Sequence, residues 1–211
     1  MSRFFSKIIA LAFLVLTPTL IWAATWQIDP DHSSIQFKVK HLGLAYVRGI
    51  FEKFTGTVDL PDQDLSKANV QVSIEVASLN TAVPKRDEHL RSPDFFAVAT
   101  YPTMTFIATA VKLGDGGRIS VSGDLTLRGI TKPITLEVSR LTPAIQDPWG
   151  NTRRGASATA SLDRRDFGLT WDKTLENGVP LIGHEVLIQF RYFGVDPQGD
   201  FVVIQHGGGE G

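Results

Sequence analysis

From Thr25 onward the chain is dominated by a period of two. Ile35, Phe37, Val39 and His41 fall on one face of SIQFKVKH, with Gln36, Lys38 and Lys40 on the other. Val70, Val72, Ile74 and Val76 share a face of VQVSIEV, and Val121, Leu125 and Leu127 share one of SVSGDLTL. The same alternation returns in ITLEVSRL, GASATASL and EVLIQFRYF. Turn-forming residues separate these runs at Pro61-Asp62, Gly114 to Gly117, Gly129, Pro148 to Asn151, Glu176 to Pro180 and Pro197 to Gly199. The pattern predicts an all-β fold of about eight or nine antiparallel strands of ordinary length. One segment does not alternate. Pro84 suits a helix start, Asp87 and Glu88 fall in the first turn, and Pro93 follows, which predicts a short helix leading into a loop that carries Phe95 and Phe96. In an all-β chain such an insertion covers an open end of the sheet.

Antiparallel strands of this kind build either a packed sandwich or a closed barrel. A sandwich fills the space between its sheets, whereas a barrel of about eight strands can hold one small ligand. Alternation alone leaves both open. The aromatic candidates for the inward face, Phe37, Phe54, Phe106, Phe167, Trp171 and Phe190, suit a large core and the lining of a long apolar cavity equally well.

The N-terminus has a different character. Arg3 and Lys7 precede an apolar run from Ile8 to Leu16, Pro18 interrupts it, and Ala23-Ala24 supplies small residues ahead of Thr25. That order predicts a secretory signal peptide over residues 1–23, cut after Ala23. A membrane anchor needs about 20 unbroken apolar residues, so no membrane span is expected after cleavage. Residues 24–211 then form a single domain, with a glycine-rich tail from about residue 207. With 43% hydrophobic and 20% charged residues the chain can bury a sizeable core. It has no cysteine, which excludes thiol catalysis, thiolate metal sites and disulfide support, so stability must come from apolar burial and sheet closure. A net charge of −1 with scattered basic residues argues against a nucleic-acid partner.

Residues that suggest chemistry are few. His32 and His41, with Asp29, lack the spacing of a zinc site. His32 follows Pro30 where turn residues satisfy backbone groups, and His41 shares the face of Phe37 and Val39, as an interior or rim histidine would. No nucleophile is set beside His89 in RDEHLR, and His184-Glu185 lacks the second histidine of a zinc-protease helix. Asp166-Phe167-Gly168 matches a kinase triplet in a chain with nothing else of a kinase. The sequence therefore predicts no catalytic residues, no metal site and no enzyme activity.

Five segments in order, DPDHSSIQFKVKHLG, VRGIFEKFTGTVDL, HLRSPDFFAVATYPTMTF, SGDLTLRGITKPITLEV and DRRDFGLTWD, resemble the signature segments of the YceI family of lipocalin-like polyisoprenoid-binding proteins. The resemblance runs from about Thr25 to Val195. In DRRDFG, Arg164 matches the family arginine, while Arg165 stands where a small polar residue is usual. The resemblance implies an antiparallel lipocalin-like β-barrel of about eight strands with one short helical insertion, a periplasmic location, no catalytic activity and no cofactor. The implied ligand and partner is an amphiphilic lipid such as a polyisoprenoid or an isoprenoid quinone, and a homodimer remains open. In a hollow barrel the strands would line the interior with Ile35, Phe37 and Val39, with Val72, Ile74 and Val76, and with Phe106, Leu125 and Leu127. Leu169, Trp171, Ile188 and Phe190 would join them, and Phe95 and Phe96 would come from the helical insertion. An enzyme acting on such a lipid and an interaction module with a filled core are the rival readings.

Overall fold

The computed structural model describes residues 24–61 and 64–196. The predicted signal peptide, the turn at Pro197 to Gly199 and the glycine-rich tail lie outside the described residues. Twelve strands follow one another: β1 (Ala24–Ile28), β2 (Ser34–His41), β3 (Ala45–Phe51), β4 (Phe54–Leu60), β5 (Asn69–Glu75) and β6 (Leu79–Asn80), then β7 (Thr103–Leu113), β8 (Ile119–Leu127), β9 (Ile130–Val138), β10 (Ile145–Gln146), β11 (Thr152–Asp163) and β12 (Ile182–Asp196). One helix, α1 (Pro84–Arg91), stands between β6 and β7. It begins at Pro84 and is capped by Ser92 just before Pro93, as the sequence predicts.

Eight of the strands close a barrel in the order β11-β9-β8-β7-β5-β4-β1-β12, with β12 returning to β11. Twelve segments make eight positions because two positions are broken and the two-residue strands β6 and β10 only extend the edges of β3 and β11. The long strand β12 pairs with β11 without interruption from Asp163↔Glu185 to Thr152↔Asp196. Its other edge is divided: β2 takes Ile182 to Arg191, and β1 takes Gly194 and Val195. β1 and β2 thus act as one wall strand broken at Asp29 to Ser33, and β3 and β4, separated by two residues, continue the wall from them. The eight barrel positions agree with the antiparallel barrel of about eight strands expected from the sequence, and the extra segments are breaks and short edge pieces.

Turn chemistry sets the registers. Arg128 and Gly129, at φ of 53° and 73°, join β8 to β9 by a two-residue loop in which both residues are left-handed, the geometry whose twist matches the flanking strands. Between β9 and β11 only two residue pairs are in register. Hydroxyls extend that seam: the backbone N–H of Ser157 donates to Ser139 Oγ, and that of Gly155 to Thr142 Oγ1, each at 2.8 Å.

Two arginines tie the ends. At the narrow end Arg153 Nη1 donates to Asp29 Oδ2 at 2.6 Å and Arg153 Nε to Asp147 Oδ2 at 2.8 Å, so the β1–β2 break and the β10–β11 turn are held by one guanidinium. His32 Nδ1 lies 2.9 Å from the same Asp29 carboxylate, and its ring packs on Phe193. Burial works to raise the Asp29 pKa, but the hydrogen bonds from His32 and Arg153 outweigh it and hold the carboxyl below its usual range. Asp147 is depressed likewise: its hydrogen bonds from Asn151 and Arg153 outweigh desolvation. At the wide end Arg164 is 4% exposed. It donates to the carbonyls of Gly183 (3.0 Å), Trp171 (2.9 Å), Ile182 (3.2 Å) and Leu169, with Asp172 Oδ2 at 3.7 Å. Two of these carbonyls sit where the β2–β12 register shifts between Ile182 and Val186, so the guanidinium supplies donors at an irregularity in the ladder. Arg165, the departure from the family pattern, turns outward and pairs with Asp163, whose pKa that hydrogen bond brings down to about 2.

Both clamps generate measurable expectations. Because the folded pKa of Asp29 and Asp147 lies below the unfolded value of about 4, their contribution to stability is complete above that value and fades as pH falls through the folded pKa. Urea midpoints followed from neutral pH to pH 2 should fall for the wild type, and the D29N/D147N double variant should start lower and show a shallower acid limb. An acid limb of unchanged slope would assign it to other carboxylates. For Arg164→Ala, one buried and three part-buried carbonyls lose their donor at about 1–3 kcal/mol each when buried, which predicts a loss of roughly 3 kcal/mol or more. That corresponds to a melting temperature lower by roughly 6–12 °C. Arg164→Lys should recover less than half, since an ammonium cannot span the same carbonyls. Stability within about 1 kcal/mol of wild type for Arg164→Ala would show that those carbonyls find other donors.

Candidate functional site

The inward faces of the strands enclose a cavity of about 560 Å³, within the range of roughly 300–1,000 Å³ typical of small-molecule sites. Burial shows why it stays open. On β8 the inward residues Val121, Leu125 and Leu127 are buried against their neighbours, yet on β2 and β12 the inward Phe37, Val39, Val186, Ile188 and Phe190 are only half-buried. Side chains that point into a barrel and still carry accessible surface face a void. This is the observation that separates the hollow barrel from the packed sandwich, which the sequence pattern left undecided.

Of the residues predicted to line a hollow interior, Ile35, Phe37, Val39, Val72, Ile74, Phe95, Phe96, Phe106, Leu125, Leu127, Leu169, Trp171, Ile188 and Phe190 all border this cavity. Val76 does not. β5 ends at Glu75, and Val76 opens a 3₁₀ turn, so the alternation that joined it to Ile74 stops one residue too soon. It is 1% exposed and sealed in the wall. Two aromatic candidates also lie elsewhere. Phe167 is fully buried, and Phe54 backs the ring of Phe190 edge-on at a centroid distance of 6.4 Å.

The structure adds lining residues that the sequence reading did not single out. Val186 and Leu136 share the faces of Ile188 and Ile134, so strict alternation would have found them. Met104 likewise shares the face of Phe106 on β7, whereas Leu90, on the helix, carried no such signal. The polar part of the wall is confined to Gln36, His41, Lys85, Arg86, His89 and Arg164. Lys85, Arg86 and His89 come from α1, and His89 meets Trp171 of the segment leading into β12. Helix α1 is fixed there through Asp87. Its buried carboxylate accepts from the Thr81 backbone N–H at 2.9 Å and from the Thr81 hydroxyl, while Arg86 donates to the same threonine at 2.7 Å. Position therefore explains a charge that the sequence reading assigned only to the first helical turn.

Aromatic contacts finish the cover. His89 meets the rings of Phe95 and Trp171 edge-on at 4.9 and 5.1 Å, and its Nε2 lies 3.1 Å from Asp94 Oδ2. Phe96 packs edge-on against Phe51, which in turn touches Phe37. The loop after α1 thus inserts Phe95 and Phe96 under the helix, in agreement with the expectation that the insertion covers an open end. His41 borders the cavity, whereas His184 sits 3.5 Å from Asp172 Oδ2 and does not. Among the described residues no group of three or more histidine, aspartate or glutamate side chains is arranged to hold a metal ion. No helix among them is long and apolar enough to cross a membrane.

Such a lumen can take up an elongated apolar group and meet a polar end at the α1 side. Comparison with known proteins bears on which barrel this is. The YceI-like domain matches residues 26–192. A UPF0312 protein of Vibrio cholerae is 39% identical over 163 residues, covering 76% of this chain and 86% of its own length. Protein YceI of Salmonella arizonae is 38% identical over 164 residues, covering 77% and 85%. Among solved structures, the Campylobacter jejuni YceI protein is 31% identical, with a TM-score of 0.56 and coverage of 71% of this chain and 88% of that one. Two further structures share the fold at lower identity. Burkholderia cenocepacia BcnA has a TM-score of 0.68 at 22% identity, covering 79% and 98%. A polyisoprenoid binding domain from Saccharophagus degradans, implicated in plant cell wall breakdown, has a TM-score of 0.61 at 20% identity, covering 83% and 99%. On the strength of the domain match and the curated relatives, this chain belongs to the YceI family.

Proposed function

We propose that the protein binds the tail of a long-chain polyisoprenoid, or of an isoprenoid quinone, inside the barrel and carries or sequesters it in the periplasm. The observation that carries this reading is the 560 Å³ lumen with half-buried apolar residues facing it. Each methylene moved from water into such a wall contributes about 0.8 kcal/mol, so a tail of several isoprene units needs no polar contact along its length. The polar residues gathered beside α1 suit a head group, and because they include Lys85 and Arg86 but no carboxylate, they favour one that accepts hydrogen bonds or carries negative charge. The solved relative described as a polyisoprenoid binding domain supports the same ligand class. The leader-like N-terminus supports the location.

Binding is favoured over chemistry by what the lumen contains. Among the described residues, no serine, threonine, tyrosine, aspartate or glutamate side chain borders the cavity, so its His41, His89 and Lys85 have no hydroxyl nucleophile or carboxylate beside them in the wall. A filled-core module is disfavoured by the void itself.

Native mass spectrometry of the mildly purified protein should reveal a co-purifying lipid that lipid extraction identifies. Val39→Glu and Ile188→Glu each place an unpaired charge in the lumen and should weaken binding of a detergent-solubilised polyprenol by tenfold or more, about 1.4 kcal/mol. A mass equal to the polypeptide alone, together with no binding of polyprenol or quinone, would overturn the reading.

A further inference from the structure

Among the described residues, a second space opens beside the lumen. Beyond the wide lumen, toward the narrow end, lies a chamber of about 80 Å³ walled by residues such as Val58, Leu60, Val121, Ala158 and Tyr192. Phe190 and Leu136 border both spaces, and no other described residue does. The order along β12 shows the partition directly. Ile188 faces only the wide lumen, Tyr192 only the small chamber, and Phe190, midway between them on the same face, divides the two. Its ring stands edge-on to Phe54 and 6.4 Å from Tyr192, and it is half-buried although it sits deep in the barrel.

The far chamber is suited to hydrocarbon and to little else. Its wall residues are aliphatic apart from Phe190 and Tyr192. The tyrosine hydroxyl does not serve the chamber: it folds back so closely over Gly194 that a Cβ there would lie 1.9 Å from the oxygen. A water placed in such a space would lack the polar partners it needs.

We propose that Phe190, backed by Leu136, is the septum that fixes how long a tail the lumen admits, and that the far chamber is an extension closed off by that ring. The proposal rests on the reading of the lumen as a tail site. It makes Phe190 a determinant of chain length: a tail that reaches the ring gains from every methylene up to it and nothing beyond it. In a hydrophobic pocket one methylene more or less changes affinity by about tenfold or somewhat more, so a septum should produce a sharp limit.

The test is a binding series with polyprenols of stepwise increasing isoprene number, delivered in detergent. Wild type should gain affinity with each unit up to a limit and then level off or weaken. Phe190→Ala should move that limit by at least one unit, binding the first chain beyond the wild-type limit about tenfold more tightly than wild type does. Ala158 lies directly across the ladder from Phe190 and borders the far chamber. Adding Ala158→Leu to the Phe190→Ala background should refill the chamber and restore the wild-type limit. Should Phe190→Ala not fold, judged by circular dichroism, Phe190→Leu takes its place with the same expectation. An unchanged limit in a folded Phe190 variant, or a shifted limit that Ala158→Leu does not reverse, overturns the septum. A wild-type protein that binds no polyprenol overturns the tail reading itself, a result distinct from either.

Discussion

Closure of the sheet depends on β12 keeping hydrogen-bonded partners on both edges over most of its fifteen residues. One edge is met by β11 alone, in unbroken register, but the other is shared between β2 and β1, which are separated by a turn and run past different parts of β12. A wall strand that breaks halfway allows the two ends of the barrel to differ in width. At the narrow end Trp26, Val58, Leu60, Val111, Ile119 and Val121 pack to burial and leave only the small chamber. At the wide end the β2–β3 hairpin continues the wall outward, and the side chains that line it cannot reach across.

That arrangement leaves backbone groups to be satisfied where the ladder is irregular, and arginines do so at both ends. Arg164 collects carbonyls at the register shift in β12, and Arg153 joins the carboxylates of two turns. Their burial differs in kind. Arg153 is held between two acidic partners whose pKa values it lowers. Arg164 is surrounded mainly by carbonyls, and its own pKa is lowered by burial against the opposing pull of Asp172 and Asp163. In a chain with no disulfide, these polar clamps complement the apolar burial of the core.

The cover over the wide end combines the same two devices. Asp87 and Arg86 pin α1 through Thr81, while His89 of the helix interlocks with Phe95 and Trp171, and Phe96 packs on Phe51. Polar residues are thereby gathered at one end of an otherwise apolar lumen, and the interior is given a direction from a wet end to a dry one. An amphiphile has that same polarity, which supports the proposed lipid over a compact polar metabolite.

Much of this was legible in the sequence because it depends on local rules. Alternation placed Ile35, Phe37, Val39, Ile188 and Phe190 on the inward face, since successive strand residues point to opposite sides whatever the strand pairs with. Pro84 and Pro93 bounded the helix for equally local reasons. Alternation failed at Val76, where a 3₁₀ turn replaces the strand without any proline or glycine to announce it. The sequence could not say whether the inward faces meet, because that depends on which strands pair and how far the wall is from its opposite side. Those are long-range quantities. Only the closed structure showed that the faces of β2 and β12 stop short of the opposite wall, that Arg164 is a buried clamp where it had been one arginine of a charged cluster, and that Phe190 stands between two spaces instead of at the centre of one core.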